Sequence, residues 1–179
     1  MASCGKKYVK VVIGLRVHVR AIVLSAMFAA IIFVAIQLFW IPYGFGVIHF
    51  GDSLIFVAAT LLPFPFGLFV AAIGPGLFNL VNIVIWLPFT VVIKPLMALC
   101  FTSKGDTILG PVRNRVAPFI AAGINTALYF GANMFLFDGW AAGVAALPGL
   151  IIQGAGSIVF FFVIGLALDR LGVKRMLFR

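Results

Sequence analysis

The chain has 179 residues, of which 64% are hydrophobic and only 9% are charged, and its mean hydropathy is +1.25. A water-soluble domain of this length cannot bury so many apolar side chains, because surface-to-volume scaling leaves too many residues outside. The composition excludes a soluble enzyme or a soluble binding module. It predicts an all-α integral membrane protein.

A transmembrane helix needs about 20 predominantly apolar residues, and the uncharged runs of the sequence can be divided by that length. The run from 53 to 93 is too long for one helix and is interrupted by Pro63-Phe64-Pro65-Phe66. It is therefore interpreted as two helices, with another beginning near Leu87-Pro88. We predict six transmembrane helices within one domain, residues 1–179. Their approximate bounds are residues 17–40, 52–63, 66–86, 88–103, 115–137 and 147–170.

The positive charge is distributed unevenly along the chain. The thirteen Lys and Arg residues outnumber the four acidic residues and give a net charge of +9. All of them except Lys94 in helix 4 precede helix 1, lie between helices 4 and 5, or follow helix 6. The loops after helices 1, 3 and 5 contain none. Because cytoplasmic loops collect Lys and Arg, both termini are predicted to be cytoplasmic. The basic ends would contact anionic lipid, and no basic stripe interleaved with aromatic residues indicates nucleic-acid binding.

Helix 1 carries small residues on its cytoplasmic half. Ala21, Ser25 and Ala29 are spaced four residues apart, and Ala26 and Ala30 form a second pair beside them. Such strips let two membrane helices approach closely. They are consistent either with packing inside the six-helix bundle or with docking to another membrane protein.

The loop between helices 1 and 2, FWIPYGFGVIHF, is rich in aromatic residues and lacks Lys and Arg. Trp40, Tyr43 and Phe45 could form a lid over a flat ligand. An aromatic belt at the membrane interface would explain the same residues without a ligand.

The polar residues of the predicted helices gather at one depth, toward their non-cytoplasmic ends. Polar side chains in a bilayer are costly unless they are paired or face a wet cavity, so this clustering predicts a shared ligand pocket open to the outside. The alternative is that the amides only link helices by hydrogen bonds. The candidate residues are His49 and Asp52 at the start of helix 2, Asn79 and Asn82 in helix 3, Lys94 in helix 4, Asn125, Tyr129 and Asn133 in helix 5, and Gln153 in helix 6.

Asp52 and Lys94 are the two charged residues at pocket depth. They could pair with each other, or one of them could contact the ligand. His49 is only a weak indication of a metal, and we predict no metal site and no cofactor. The sequence has no G-x-x-x-x-G-K-[ST] phosphate loop and no glutamate, so no catalytic residues are predicted and the protein is not expected to be an enzyme.

Three segments resemble one family of transport proteins. They are GDSLIFVAATLL from Gly51, WLPFTVVIKPLMAL from Trp86 and GWAAGVAALPGLIIQ from Gly139. In this order they resemble the substrate-binding S components of energy-coupling factor (ECF) vitamin transporters, in the branch that carries riboflavin, pyridoxine or hydroxymethylpyrimidine.

The resemblance implies a six-helix protein of the prokaryotic cell membrane, with an outward pocket capped by the loop after helix 1. It implies that Ala26 and Ala30 match the A-x-x-x-A motif that docks on a transmembrane coupling subunit, which carries two cytoplasmic ATP-binding-cassette ATPases. The loaded S component is thought to topple in the membrane to deliver its ligand. Asn79 stands where many relatives have an acidic residue, which favours a neutral substrate over a cationic one.

We therefore predict a high-affinity membrane receptor for a small, neutral, heteroaromatic vitamin or vitamin precursor. Vitamin B6 or hydroxymethylpyrimidine is the first candidate and riboflavin the second. The alternatives are a stand-alone vitamin facilitator, which would transport without any coupling subunit, and a non-transporting membrane assembly factor, which would bind no ligand.

Overall fold

The computed structural model describes residues 2–44, 46–137 and 139–178, which are mostly helical. A short antiparallel hairpin separates the first two helices, and a turn of 3₁₀ helix precedes the fourth. The elements are α1 Ala2–Leu38, β1 Ile41–Tyr43, β2 Gly46–Ile48, α2 Gly51–Leu61, α3 Phe66–Asn82, the 3₁₀ turn Val84–Trp86, α4 Leu87–Ala98, α5 Val112–Leu136, α6 Trp140–Arg170 and α7 Val173–Phe178.

Several helix ends differ from the bounds expected from hydropathy. Helix α1 begins at Ala2 rather than near residue 17, and α6 begins at Trp140 rather than near residue 147. Lys, Arg and Ala are good helix formers, so a helix can continue past the point where the chain stops being apolar. Helix α4 ends earlier than expected, at Ala98 rather than near residue 103.

Three of the helices are long and apolar enough to cross a membrane: Val19–Leu38 within α1, Val112–Leu136 and Trp140–Arg170. Three further apolar helices, Gly51–Leu61, Phe66–Asn82 and Val84–Ala98, are shorter. Large apolar side chains cover the outer faces of these helices. Such a surface is compatible with the lipid of a bilayer and is rare on proteins that are exposed to water. Six membrane spans and two cytoplasmic termini remain predictions.

Helix α2 lies at the centre of the bundle, and all of its residues except Leu54 are buried. Helix α1 packs closely against α3 at Gly74. A Cβ atom there would lie 2.9 Å from the side chain of Ile32 and 3.2 Å from the carbonyl oxygen of Ala29. The absence of a side chain at this position therefore sets the distance between the two helices.

Three phenylalanines meet at the centre of the bundle, and we call them the aromatic plug. Their ring centroids are 4.7 Å apart for Phe56 and Phe101, 5.4 Å for Phe101 and Phe161, and 5.9 Å for Phe56 and Phe161. Phe56 lies one helical turn beyond Asp52 in α2, toward the end of the bundle that carries the basic residues. The aromatic plug fills the middle of the molecule with apolar rings.

The hairpin β1–β2 folds over one end of the bundle. Its register pairs Ile41 with Ile48 and Tyr43 with Gly46, and Gly44 adopts a positive φ of 56° that suits glycine at the turn. The ring of Tyr43 lies against Gly149 of α6, where a Cβ atom would come within 2.5 Å of it. This close contact holds the hairpin against the bundle.

Candidate ligand-binding site

A cavity lies beneath the hairpin, between the adjoining ends of α3, α4, α5 and α6. It contains about 640 Å³ of empty space, counting the part open to solvent. Its walls combine aromatic, aliphatic and uncharged polar side chains with the charged side chain of Lys94. The lining residues are Tyr43, Gly46, Val47, Ile48, His49, Pro75, Asn79, Trp86, Thr90, Lys94, Tyr129, Asn133, Ala146, Gly149, Leu150 and Gln153.

The floor of the cavity is built around a buried ion pair. Nζ of Lys94 lies 2.7 Å from Oδ1 of Asp52, and both side chains are 2% exposed. Lys94 also donates to Oδ1 of Asn125 at 2.9 Å, and Nε2 of Gln153 donates to Oδ2 of Asp52 at 2.9 Å. Four helices are joined by these contacts, and the charges of the two ionised groups cancel.

Asp52 and Asn125 lie beneath the cavity and do not line it. They hold Lys94, whose side chain does reach the cavity and lies with Nζ 5.1 Å from the centroid of the Tyr129 ring. Of the two roles left open by the sequence for Asp52 and Lys94, the structure shows the pairing.

A second chain of hydrogen bonds crosses the wall of the cavity. Nδ2 of Asn79 donates to Oγ1 of Thr90 at 2.5 Å, and this hydroxyl is 2.7 Å from the hydroxyl of Tyr129. Nδ2 of Asn133 donates to the carbonyl oxygen of Tyr129 at 2.8 Å. These contacts fix side chains from α3, α4 and α5 around one space.

His49 lines the cavity at the base of the hairpin and is 7% exposed. Its Nδ1 accepts the backbone N–H of Gly51 at 3.3 Å, so the imidazole is neutral with its proton on Nε2. No group of three metal-ligating side chains occurs in the described part of the chain.

Two of the residues predicted for the site, Asn82 and Trp40, lie away from the cavity. Asn82 is exposed outside the cavity and donates to Oε1 of Gln37 at 2.8 Å. Trp40 packs edge-on against Phe78, with the ring centroids 6.0 Å apart, and does not line the cavity. Phe45 lies outside the described residues.

Two lining residues that the sequence analysis did not select are Trp86 and Thr90. With Lys94 they are spaced at i, i+4 and i+8, which places all three on one face of a helix. The spacing was therefore available in the sequence. The rings of Trp86 and Tyr129, with centroids 5.7 Å apart, form an aromatic corner of the cavity.

The small residues of helix 1 fall into two groups. Ala21 and Ala29 are buried, and the hydroxyl of Ser25 donates to the carbonyl oxygen of Ala21 at 2.6 Å. Ala26 and Ala30 are exposed on the outer face of α1. The first group packs within the bundle, and the second is accessible to another helix.

These features define a multi-pass membrane protein with a small-molecule cavity enclosed by its helices. Residues 16–170 match the family described as the ECF-type riboflavin transporter, S component, and the chain belongs to this family. A comparison with curated proteins found no match. The match to this family confirms the resemblance to ECF S components seen in the sequence. The chain is a membrane-embedded, vitamin-binding subunit of an ECF transporter, a class that works with a membrane component and ATPases.

Proposed function

We propose that this chain is the high-affinity binding subunit for a small, uncharged, heteroaromatic vitamin or vitamin precursor. The ligand enters the cavity beneath the hairpin from outside the cell and passes inward when a coupling subunit and its two ATPases engage the chain. The observation that carries this proposal is a cavity with aromatic and amide walls over a floor whose two charges neutralise each other.

The neutral floor favours an uncharged ligand. Lys94 already has a carboxylate at 2.7 Å, so an anion would compete with Asp52, and a cation would meet the ammonium group without a free counter-ion. Moving an unpaired charge from water into such a site is unfavourable. Asn79 adds no charge to the wall, which agrees with a neutral ligand.

The aromatic corner favours a flat ring. Trp86, Tyr129 and Tyr43 line the cavity, and aromatic faces and edges gain from contact with another ring beyond the apolar area buried. Polar lining groups would then orient the ring, as is usual in small-molecule sites.

Vitamin B6 and hydroxymethylpyrimidine are the first candidates, because each is a single small ring that bears polar substituents. Riboflavin is the second, and the description of the matched family favours it. All three compounds satisfy the requirement for an uncharged heteroaromatic ring.

Calorimetry on the purified full chain in detergent tests the proposal with pyridoxine, hydroxymethylpyrimidine and riboflavin. Thiamine, a cation, and pantothenate, an anion, serve as charged comparisons. We expect one uncharged ligand to bind tightly and to raise the thermal stability, by about 2.7 kcal/mol at a ligand concentration of 100 times Kd. Tighter binding of either charged compound would contradict a neutral substrate, and no binding at all would favour an assembly factor.

Uptake measurements separate the coupled importer from a stand-alone facilitator. We expect cells that express this chain to take up the bound vitamin only when a coupling subunit and its ATPases are present. Uptake in cells without them would establish the facilitator instead.

A further inference from the structure

The three amide side chains that line the cavity share one arrangement. Each has its NH₂ group turned toward the protein: Gln153 donates to Asp52 at 2.9 Å, Asn133 to the carbonyl oxygen of Tyr129 at 2.8 Å, and Asn79 to Thr90 at 2.5 Å.

The orientation of two of these amides follows from the chemistry of their partners. The carboxylate oxygen facing Gln153 and the carbonyl oxygen facing Asn133 can only accept hydrogen bonds, so the atom that faces them must be nitrogen. Their amide oxygens therefore point away from these partners. Asn79 has the same arrangement against a hydroxyl group that also contacts Tyr129.

The side-chain oxygens of these three residues differ from their nitrogens. Asn79, Asn133 and Gln153 are 7%, 5% and 4% exposed, and within residues 2–44, 46–137 and 139–178 their side-chain oxygens accept no hydrogen bond. An acceptor that loses contact with water when a ligand fills the cavity is unfavourable unless the ligand donates to it. Each of these residues lines the cavity, so a group bound there can supply the missing donor.

Donors also line the cavity, so the amide oxygens, and not an overall balance of donors and acceptors, constrain the ligand. Each amide retains one hydrogen beside its oxygen. Lys94 spends two of its three hydrogens on Asp52 and Asn125, which leaves it one, and His49 keeps its proton on Nε2. A ligand that satisfies the amide oxygens must bring donors of its own.

We infer that the cavity selects a ligand by its hydrogen-bond donors: an uncharged ring that carries at least two O–H or N–H groups directed at Asn79, Asn133 and Gln153. This inference rests on the proposed function, because it assumes that the cavity is the vitamin site. It makes hydroxyl and amino substituents, which can donate to these three amide oxygens, determinants of specificity.

Matched ligand pairs test the inference on the unaltered full chain. Riboflavin is compared with lumiflavin, which keeps the ring system and lacks the hydroxylated side chain, and pyridoxine is compared with 4-deoxypyridoxine, which lacks one hydroxyl group. For the parent compound that binds, we expect Kd to increase at least tenfold for each donor removed. Equal affinity for parent and analogue would overturn the inference and leave the proposed function intact. Failure of every vitamin to bind would instead contradict the proposed function.

Variants connect the ligand donors to the amides. Asn79→Leu, Asn133→Leu and Gln153→Leu are each measured with parent and analogue. For at least one of them we expect a larger loss of affinity for the parent than for the donor-lacking analogue. Equal losses in all three variants would argue against donor recognition.

Asn82→Leu is the matched control, since Asn82 lies three residues from Asn79 in α3 but bonds to Gln37 outside the cavity. We expect it to leave both affinities unchanged. Thermal unfolding without ligand identifies any variant that fails to fold, and the ligand pairs then decide the question on the unaltered chain.

Discussion

Lys94 is a charged residue that is 1% exposed in the interior of a membrane protein. An isolated ammonium group there would be strongly unfavourable. It is accommodated because Asp52 lies at 2.7 Å, Asn125 accepts a hydrogen bond at 2.9 Å, and the ring of Tyr129 lies nearby. The energetic consequence is that each member of this group depends on the others.

Lys94→Met would leave the carboxylate of Asp52 buried without its counter-ion. We expect the free energy of unfolding to fall by about 3–5 kcal/mol, the usual result of breaking a buried pair from one side. The double variant Lys94→Met/Asp52→Leu is expected to recover much of this loss, because no charge then remains unpaired. Unfolding of the detergent-solubilised protein measures both.

Lys104→Met is the control for this experiment, because Lys104 is exposed. Its unfolding free energy is expected to stay within about 0.5 kcal/mol of the unaltered chain. If Lys94→Met were as stable as the control, the ion pair would not support the fold.

At this scale the sequence predicted many of the residues that line the cavity, because polar side chains are costly in a bilayer and their depth is therefore informative. It did not predict their rotation about each helix. Asn79 and Asn82 are three residues apart, yet Asn79 lines the cavity and Asn82 turns to Gln37 at the end of α3. Trp86 and Thr90 are ordinary residues in apolar helices, so only their spacing with Lys94 indicated the site.

At the scale of single elements, the contact between the hairpin and α6 positions the roof of the cavity. Gly149→Ala would place a Cβ atom 2.5 Å from the ring of Tyr43, so the hairpin must move. We expect the affinity for the vitamin to fall about tenfold or more, since a roof displaced by even an ångström changes the contacts of the ligand. Calorimetry with the bound vitamin measures this.

Gly131→Ala in α5 provides the same substitution without a clash, because no atom lies within 4 Å of the added Cβ. Alanine is favoured over glycine inside a helix by about 1 kcal/mol. This variant is therefore expected to be slightly more stable and to bind the vitamin as before. Equal affinity in both variants would show that the hairpin contact is unimportant for binding.

The exposed face of α1 provides a test of how this chain docks on its coupling subunit. Ala26→Trp and Ala30→Trp add bulk to the outer surface of the helix, so we expect vitamin binding to be retained while uptake with the coupling subunit falls at least tenfold. Small residues at a membrane-helix interface allow the close approach that a large ring prevents. Binding and uptake are measured on the same variants.

Met27→Trp is the comparison for Ala26→Trp. Met27 is also exposed on α1 but lies about 100° around the helix from Ala26, so uptake closer to normal than in Ala26→Trp is expected. Ile31→Trp is the comparison for Ala30→Trp: Ile31 is exposed and lies about 140° from Ala26 and about 100° from Ala30, so normal uptake is expected. Normal uptake in Ala26→Trp and Ala30→Trp would exclude this face as the docking surface.

The helix ends were the least predictable part of the elements. Hydropathy locates the apolar part of a helix, whereas the helix itself continues as long as its residues favour it, as the start of α1 at Ala2 illustrates. The hairpin was expected only as a loop, because strands of three residues such as Ile41–Tyr43 give too short a pattern to recognise.

At the scale of the whole molecule, the cavity lies at the end of α6 opposite to Arg170 and the basic residues that follow it. Gly149 and Arg170 are separated by 21 residues of α6, which corresponds to about 30 Å of helix, the thickness of the hydrocarbon core. The structure is thus consistent with the orientation that the distribution of Lys and Arg predicts.

Single cysteines test that orientation in a chain from which Cys4 and Cys100 have been removed. We expect Lys104→Cys to react with a membrane-impermeant reagent only after the cells are opened, and Trp140→Cys to react in intact cells. Both residues are exposed, so accessibility reports the side of the membrane. The reverse labelling pattern would place the cavity on the cytoplasmic side.

The aromatic plug has a consequence for the cell that is separate from vitamin recognition. Phe56, Phe101 and Phe161 pack with centroids 4.7–5.9 Å apart below the cavity, and tightly packed rings offer protons and sodium ions neither water nor ligands. An idle receptor therefore acts as an electrical insulator even while its cavity is open. A cell can keep many unloaded copies in its membrane, ready for a scarce nutrient, without draining the ion gradients that power the rest of its metabolism.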